Sequence, residues 1–481
     1  MRHYIGFLVF ALLSLGCNEK QKEKGKIAKK PNILFISIDD LRPELNVYGQ
    51  SQIVSPNIDA LGADATVFNK SFCTVPVCGA SRASIMTGIH PTPSRFVDYG
   101  SRIDEEATGV ISLVEHFKNN GYFTTSVGKI LHHPNDGLKG WSEQPFRPDY
   151  PNTLNQQELW RDYQSEENKE NYNTSMLPLG APGPAWEAAD VSDNTYFDGK
   201  TADAAVAKLD ALVKAKEPFF FGVGFIRPHL PFNAPKKYWD LYNPKEIELA
   251  ENTSFPKDVP LDAWHNSGEL RSYNNIPNDT LPIFDEQALK LRHGYYASVS
   301  YIDAQVGKVI DKLKALGLYE ETIIVLWGDH GWSFGEHGLW CKHSCFTNAL
   351  RAPLIMKSIE NKHGKTDALV SFVDVYPTLC ELADLEKPSH LVGKSFASIL
   401  KNPEEKGNEY IYARWQNGET IKSDRYTLTQ YFDKNGKPKS QMLYDNFTDP
   451  AEDNNIAETI AAEEALQTLA KALQLHLENR K

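Results

Sequence analysis

The stretch Asn32–Ile38 (NILFISI) is followed at once by two acidic residues, Asp39 and Asp40. Near-continuous apolar runs of this kind are typical of strands buried on both faces, as in a mostly parallel sheet covered by helices. Ligands of open α/β sheets bind beyond the carboxyl ends of the strands. The stretch therefore predicts a central strand that carries Asp39 and Asp40 to a ligand-binding edge.

The same pattern recurs three times along the chain. FTTSV at 123–127 leads into Gly128, Lys129 and His132, PFFFGVGF at 218–225 into Arg227 and His229, and TIIVLW at 322–327 into Gly328, Asp329 and His330. Between the last two runs, residues 289–316 have apolar residues at helical spacing, and Gly317 is expected to end that helix. This alternation predicts an α/β fold with a large, mostly parallel sheet flanked by helices.

A smaller unit is predicted at the C-terminus. Residues 409–415 and 426–431 have the composition of short strands, and residues 444–455 are rich in turn formers. The last stretch places four leucines on one helical face, namely Leu466, Leu469, Leu473 and Leu477. The sequence thus predicts a catalytic domain at 31–390 and an α+β subdomain at 391–481. Residues 134–200 show little periodicity and are expected to form long loops over the site.

The N-terminus has the features of an export signal. Arg2 and His3 precede an apolar run at 5–16 that is too short to span a bilayer and ends at Cys17. LSLGC at 13–17 resembles a bacterial lipoprotein signal, in which the Cys is lipidated, and the alternative is an ordinary secretory leader with a chance Cys. We expect a signal peptide at 1–17, a polar tether at 18–30, and an exported bacterial lipoprotein that a lipid anchor holds to a membrane of the cell envelope, facing the periplasm or the outside.

Composition excludes two classes of protein. The net charge of −12 argues against a nucleic-acid binder, because phosphate binding draws on clustered Lys and Arg. Six cysteines in 481 residues are too few for a disulfide scaffold. Apart from Cys17 and Cys78, the cysteines are Cys73, Cys341, Cys345 and Cys380, and a bridge between Cys341 and Cys345 is left open.

Two strand ends carry acidic pairs with metal-ligand character. Asp39 and Asp40 follow one strand, and Asp329 and His330 follow another. Adjacent carboxylates repel each other unless a cation or a proton lies between them, and a hard divalent ion takes oxygen ligands. Calcium fits these carboxylates better than zinc does. The alternative is that such a pair caps a helix or is solvated at the surface.

The segment VCGASRASIMTG at 77–88 is predicted to form a tight turn that enters a short helix. Cys78 would then lie near a helix N-terminus, where free N–H groups and the helix dipole favour an anion. A Cys at such a position could be a nucleophilic thiolate of low pKa. It could equally be a buried structural thiol, and its position alone leaves both readings open.

CGASR at 78–82 with Thr87 and Gly88 resembles the signature of the type I sulfatases, in which the Cys is oxidised to formylglycine. The resemblance spans about residues 31–385, and the segments around His229, Asp329 and Lys342 most resemble iduronate 2-sulfatase and its bacterial polysaccharide-degrading relatives. It implies an alkaline-phosphatase-like fold. The family usually has Pro where this chain has Ala80, so the expected partner for maturation is a radical-type sulfatase-maturing enzyme.

The resemblance also implies a role for each matching residue. The implied ligands of one Ca²⁺ ion are Asp39, Asp40, Asp329, His330 and the modified Cys78. Arg82 and Lys129 would hold the hydrate of formylglycine and neutralise sulfate oxygens. His132 would be the base that helps to expel sulfate, and His229 and Lys342 would supply a proton to the leaving oxygen.

The implied activity is hydrolysis of sulfate esters on a sulfated polysaccharide or its oligosaccharides that contain uronic acid, such as ulvan or a glycosaminoglycan. Two alternatives belong to other classes. One is a phosphatase or phosphodiesterase of the same superfamily, which would need a second set of metal ligands. The other is an inactive glycan-binding surface lipoprotein, in which Cys78 would remain a thiol.

Overall fold

In a computed structural model of the chain, the described residues are 1, 30–149, 161–174, 183–278, 282–360 and 362–480. By their contacts, the described residues from Pro31 onward form one compact unit. Cys17 and, apart from Met1 and Lys30, the predicted signal peptide and tether lie outside the described ranges. None of the described helices combines the length and the apolar character needed to cross a membrane.

Strands and α-helices alternate through much of the described chain. The strands are β1 Asn32–Ile38, β2 Thr66–Phe72, β3 Phe123–Gly128, β4 Trp186–Glu187, β5 Phe219–Phe225, β6 Phe232–Asn233, β7 Thr322–Gly328, β8 Ser333–Phe334, β9 Trp340–Cys341, β10 Leu354–Lys357, β11 Gly364–Ser371, β12 Ile411–Trp415, β13 Gly418–Lys422, β14 Tyr426–Phe432 and β15 Pro438–Asp445. The α-helices are α1 Pro56–Ala63, α2 Cys78–Thr87, α3 Ile103–Glu106, α4 Leu113–Asn119, α5 Glu166–Thr174, α6 Phe197–Ala215, α7 Lys236–Trp239, α8 Gly268–Arg271, α9 Asp285–Ala315, α10 Thr347–Leu350, α11 Val375–Leu382, α12 Ala397–Lys401 and α13 Glu463–Asn479.

The main sheet has seven strands in the order β11-β2-β10-β7-β1-β5-β3. The four runs that the sequence identified are the four neighbouring strands β7, β1, β5 and β3, and these pair in parallel. Ile38 at the end of β1 lies opposite Phe225 and Gly328, and Gly128 lies opposite Gly224. The residues that follow these strands therefore leave the sheet at one edge.

Helices cover both faces of the sheet, which is why β1 has apolar side chains on both of its faces. Leu34 and Ile36 belong to a core that includes residues of α6 and α9, and Ile33 and Phe35 belong to a core that includes residues of α2, α4 and α11. The predicted helix at 289–316 is the C-terminal part of α9, which ends just before Gly317. The predicted mostly parallel sheet flanked by helices is confirmed.

Three strands of the sheet are absent from the sequence prediction. TVFNKSF in β2 and GKTDALVS in β11 interrupt their apolar residues with polar ones, and LIMK in β10 is only four residues long. β10 runs antiparallel to both of its neighbours, β7 and β2. These strands extend the sheet on the side of β7, and β11 forms its edge, where half-exposed polar side chains are tolerated.

The C-terminal part contains a separate antiparallel sheet in the order β12-β13-β14-β15. α13 packs against it through Leu469 and Leu473, which are buried, while Leu466 and Leu477 are partly buried against the same cluster. The predicted α+β character of this part and its leucine face are confirmed. The domain boundary at residue 390 stays a prediction.

The five cysteines within the described ranges are buried free thiols. The bridge between Cys341 and Cys345 that the sequence left open is therefore not formed. Cys341 belongs to a core cluster beside the main sheet, whereas Cys345 packs with Tyr431 and Met442 of the second sheet. The two thiols thus serve the packing of different clusters.

A cluster of rings joins the end of α2 to the C-terminal part. His476 stacks flat on Tyr412 at 3.6 Å, and the ring of His90 meets His476 edge-on at 4.8 Å. Burial, with the nearby Arg480 acting in the same direction, lowers the pKa of His90 to about 3 and that of His476 to about 4. Because an unfolded His titrates near pH 6.5, the stability these neutral rings contribute is present above about that pH. It is lost as the pH falls toward the folded pKa values.

His476→Phe keeps the flat ring on Tyr412 and removes one titrating group. Between pH 7 and pH 5 we expect the unfolding free energy of the wild type to fall by about 1 kcal/mol more than that of the variant, after allowance for solvent screening. Chemical denaturation at several pH values measures both. Parallel pH profiles for the two proteins would contradict the expectation.

Candidate active site

Two strand ends meet in a buried cluster of ligand-type atoms. Atoms of Asp39 and Asp40, which follow β1, and of Asp329 and His330, which follow β7, lie within 4.8 Å of one another. All four side chains are fully buried. The parallel register of β1 and β7 brings them together, as the sequence predicted.

The donor set fits a cation. His330 donates its Nδ1–H to the carbonyl of Gly331 at 2.9 Å, so its Nε2 carries a lone pair. That lone pair faces Asp40 Oδ1 at 3.3 Å and Asp329 Oδ1 at 3.7 Å. His330 Nε2 and Asp39 Oδ1 are buried and have no hydrogen-bond partner among the described residues. Acceptors that face one another in a dry site repel, and a hard divalent ion with oxygen ligands removes the repulsion.

The pKa values of the two adjacent carboxyls are shifted in opposite directions. Burial raises the pKa of Asp40 well above its ordinary value, and the charges of Asp39, Glu269 and Asp329 raise it further against the opposing effect of Lys342. Burial acts on Asp39 in the same direction, but the cations Lys129 and Arg82 outweigh it and hold its pKa well below the ordinary range. Positive charge of the chain therefore compensates Asp39 more fully than it compensates Asp40.

Asp40 also has a left-handed backbone, with φ of 60°. Its N–H donates to Asp329 Oδ1 at 3.0 Å, and Tyr295 donates its hydroxyl to the Asp40 carbonyl at 2.8 Å. Such a conformation in a residue other than glycine costs about 1–3 kcal/mol and persists where surrounding contacts enforce it. The contacts that hold Asp40 point its carboxylate into the cluster.

Cys78 is the first residue of α2 and is 3% exposed. Its Sγ lies 3.2 Å from His132 Nδ1, and it forms a further group of close ligand-type atoms with Asp39 and His330. Burial raises the pKa of the thiol to about 12. The helix N-terminus therefore does not lower the pKa of the Cys78 thiol, which argues against an unmodified thiolate nucleophile.

Gly79 is required by close packing behind Cys78. A Cβ at this position would lie 2.3 Å from the carbonyl oxygen of Tyr99. Real Cβ contacts do not occur at such a distance, so any larger residue would displace the backbone near Cys78. Close packing against the backbone of Tyr99 thus explains why the CGASR segment has a glycine at this position.

The two predicted cations Arg82 and Lys129 lie behind the cluster and are fully buried. Arg82 Nε donates to Asp329 at 2.8 Å, its Nη1 donates to the carbonyls of Lys129 and Ile130, and Lys129 Nζ donates to Asp39. Neither residue lines the neighbouring cavity. Both cations therefore face the carboxylates rather than open space.

A cavity of about 460 Å³ opens over Cys78. His132 lies beside Cys78 in its lining, and His229 and Lys342 line it as well. Other parts of the chain complete the wall, including Asp98, Tyr99, Arg161, His265, Glu269, Tyr273, His343, Trp415 and Gln416. Arg161 comes from the predicted loop region 134–200, while Trp415 and Gln416 come from the C-terminal part. The predicted catalytic residues therefore either line the cavity or lie directly beneath it.

Glu269 is a site residue that the sequence interpretation missed. Lys342 Nζ donates to both carboxylate oxygens of Asp40 at 3.0 Å and to Glu269 Oε1 at 2.7 Å. His229 Nε2 lies 3.4 Å from Glu269 Oε1. Glu269 belongs to a stretch without helical or strand periodicity, so no local pattern marks it.

Asp40, His229 and Glu269 form a further group whose ligand atoms lie within 4.8 Å of one another. In composition this group would suit a second metal ion. The ammonium of Lys342 already bridges Asp40 and Glu269, so a cation of the chain itself balances these carboxylates. The described residues thus offer one divalent site with an ammonium beside it.

Residues 31–385 match the Sulfatase family. This chain belongs to the sulfatase family. Residues 335–479 also match a family described as N-sulphoglucosamine sulphohydrolase, C-terminal. The resemblance predicted from the sequence is confirmed, and the chain is a sulfuric ester hydrolase.

Relatives support this assignment along nearly the whole sulfatase chain, and a solved structure shares its fold. It is 31% identical to a sulfatase of Formosa agariphila, over 97% of this chain and 91% of that protein. It is 30% identical to iduronate 2-sulfatase of Mus musculus, over 88% of this chain and 79% of the mouse protein. A phosphonate monoester hydrolase from Silicibacter pomeroyi has the same fold, with a TM-score of 0.75 at 22% identity over 94% and 96% of the two chains.

Proposed function

We propose that this sulfatase removes sulfate from a uronic-acid-containing sulfated polysaccharide or its oligosaccharides, such as ulvan or a glycosaminoglycan. The proposal includes formylglycine at position 78 and one calcium ion. The observation that carries it is the position of Cys78, which lies between His132 and the cluster of Asp39 and His330 beneath a cavity. A thiol whose pKa is about 12 is a poor nucleophile at neutral pH, so Cys78 acts after modification.

Formylglycine would supply a nucleophilic hydroxyl and calcium would supply positive charge at the sulfate group; the calcium ligands would be Asp39, Asp40, Asp329, His330 and modified Cys78. Lys129 pairs with Asp39 and Arg82 pairs with Asp329, which fixes the positions of both carboxyl groups. His132, next to position 78, is placed to take a proton from the nucleophile side. His229 and Lys342 are placed to serve the leaving oxygen.

The cavity wall suits an anionic sugar. Arg161 and Lys342 bring positive charge to the wall, which also carries the acidic Asp98 and Glu269. The Tyr99 side chain, 66% exposed, offers an apolar ring at the cavity. On the C-terminal side Trp415 lies 5.0 Å from the ring of His343. Aromatic faces bind the apolar side of a sugar ring, and cations bind sulfate or carboxylate groups. The name of one relative, iduronate 2-sulfatase, also refers to a uronic acid.

The deciding experiment is co-expression with a radical-type sulfatase-maturing enzyme. Cys78 is 3% exposed, so we expect modification to occur before the chain has folded, and treatment of the folded protein is not a substitute. The mass of the Cys78 peptide reports the aldehyde. Matured protein should release sulfate from an aryl sulfate and from ulvan or heparin oligosaccharides. Absence of sulfate release from both glycans would overturn the substrate, and an unmodified Cys78 would favour the inactive glycan binder.

A phosphatase of the same superfamily is the nearest rival, since the phosphonate monoester hydrolase fold is shared. The Lys342 ammonium between Asp40 and Glu269 argues against a second metal ion. We therefore expect the matured enzyme to prefer an aryl sulfate over the matching aryl phosphate. A strong preference for the phosphate would overturn the proposal.

We also propose that the enzyme is exported and anchored through a lipid on Cys17, facing the periplasm or the outside of the cell. The support is the leader and tether composition at 1–30. Cys17→Ala is expected to move the protein from the membrane fraction to the soluble fraction without loss of sulfatase activity. Retention of the variant in the membrane fraction would contradict lipid anchoring at this residue.

A further inference from the structure

We infer that Glu269 is a positioning residue for the departure of the leaving group, an inference that rests on the proposed sulfate-ester hydrolysis. Glu269 Oε1 accepts from Lys342 Nζ at 2.7 Å and lies 3.4 Å from His229 Nε2. It is thus in reach of both residues expected at the leaving oxygen. It lines the cavity itself but would act through Lys342 and His229.

Glu269 determines where the ammonium of Lys342 lies. Lys342 Nζ is shared between Asp40 on the metal side and Glu269 on the cavity side. Without Glu269, the attraction of Asp40 would be unopposed and would draw the ammonium toward the metal cluster. With Glu269 in place, an N–H of Lys342 is held at the cavity, where a leaving oxygen can receive it.

Glu269 also faces Nε2 of His229. His229 Nδ1 donates to the carbonyl of Leu230 at 2.6 Å, which fixes the ring and leaves Nε2 toward Glu269 and the cavity. Glu269 thus lies beside the edge of the His229 ring that is turned to the cavity, where the leaving oxygen would be placed.

The short helix that carries Glu269 is anchored to the strand that precedes Lys342. Trp340 in β9 donates its N–H to Ser267 Oγ at 3.0 Å. Arg271 donates from Nε to the carbonyl of Asn266 at 2.9 Å and from Nη1 to that of Pro277 at 2.8 Å. These bonds fix α8 relative to β9, so Glu269 and Lys342 keep their spacing, as a positioning contact requires.

The step that Glu269 assists balances in protons and electrons. The nucleophilic hydroxyl at position 78 would bond to sulfur and give its proton to His132, while the bond between sulfur and the ester oxygen would break and leave its electron pair on that oxygen. The oxygen then takes a proton from Lys342, which becomes a neutral amine and recovers a proton from water after the product leaves. Glu269 remains a carboxylate throughout, and its effect is to hold the donor at the oxygen.

The test uses a series of aryl sulfates whose phenols differ in acidity, with matured enzyme. A phenol as acidic as 4-nitrophenol leaves without a proton, whereas a weakly acidic phenol needs one. Glu269→Gln keeps the size of the side chain and removes its charge. We expect kcat/KM to fall by about 100-fold for the least acidic phenol and by about 3-fold or less for 4-nitrophenyl sulfate. The dependence of log kcat/KM on phenol pKa should thus become steeper.

Asp98→Asn is the matched comparison, because it removes a negative charge from the same cavity wall at a residue outside the group of Asp40, His229 and Glu269. Asp98→Asn is expected to change kcat/KM by the same factor for every aryl sulfate in the series. Glu269→Asp, which keeps the charge but shortens the side chain, should again steepen the dependence and serves if the Gln variant does not fold. If log kcat/KM depended equally steeply on phenol pKa in the wild type and in both Glu269 variants, the inference would be overturned. A wild type without activity on any aryl sulfate would instead overturn the proposed function.

Discussion

Alanine at position 78 is expected to abolish sulfate release. Without a side chain that can be oxidised there is no nucleophile, and losses of about 10⁴-fold or more in kcat are usual when a covalent nucleophile is removed. The chain should still fold, because Cys78 is buried at the start of α2 and the smaller Ala fits there without a clash. Sulfate release from an aryl sulfate by protein co-expressed with the maturing enzyme measures the effect.

Cys380→Ala is the control for this variant. Cys380 is likewise a buried free thiol, but it lies in α11 within the apolar core and does not line the cavity over Cys78. Its removal should cost about 1 kcal/mol of stability and leave kcat unchanged. Substantial turnover by Cys78→Ala, at more than a trace of the wild-type rate, would show that the nucleophile lies elsewhere.

The acidic edge of the sheet could be predicted from the sequence because each strand end that forms it is marked by its own local pattern. Asp39 and Asp329 each follow an unbroken apolar run, and parallel strands bring such positions to one edge whatever the loops do. Cys78 could be placed at a helix start from the turn-forming residues around it. These positions needed no knowledge of long-range contacts.

The wall of the cavity could not be predicted in this way. Glu269 reaches the site from the four-residue helix α8, whose sequence shows no periodicity, and Trp415 reaches it from the second sheet, so only tertiary packing decides where they arrive. Arg82 also differs from expectation in its surroundings. Its helix turns it under the cluster toward Asp329, a direction that depends on how α2 packs on the main sheet.

Replacement of Asp40 by Asn is expected to lower activity without lowering the stability of the metal-free protein. Burial, and then the charges of Asp39, Glu269 and Asp329, raise the pKa of Asp40. An acid whose folded pKa is raised opposes folding once the pH exceeds its unfolded pKa, so at pH 7 the buried Asp40 carboxyl destabilises the metal-free protein. Asn has no ionisable group and can still accept a hydrogen bond from Lys342. The metal-free variant should therefore melt at the same temperature as the wild type or higher.

Calcium should reverse this order. A ligand that binds only the folded state at 100 times its Kd adds about 2.7 kcal/mol to stability, so the Tm of the wild type should rise with calcium. Asp40→Asn has lost one carboxylate of the cluster, and its Tm should scarcely respond while kcat/KM falls by about 10³-fold.

Asp374→Asn provides the contrast for Asp40. Burial raises the pKa of Asp374 to about 6, but its carboxylate accepts from the N–H groups of Ser371 and Lys394, which an amide nitrogen cannot do. This variant should lose stability, because one of those donors is left without an acceptor. It should nevertheless keep the full Tm response to calcium, since Asp374 is not part of the metal-ligand cluster. A calcium response in Asp40→Asn as large as that of Asp374→Asn would show that the ion binds without Asp40.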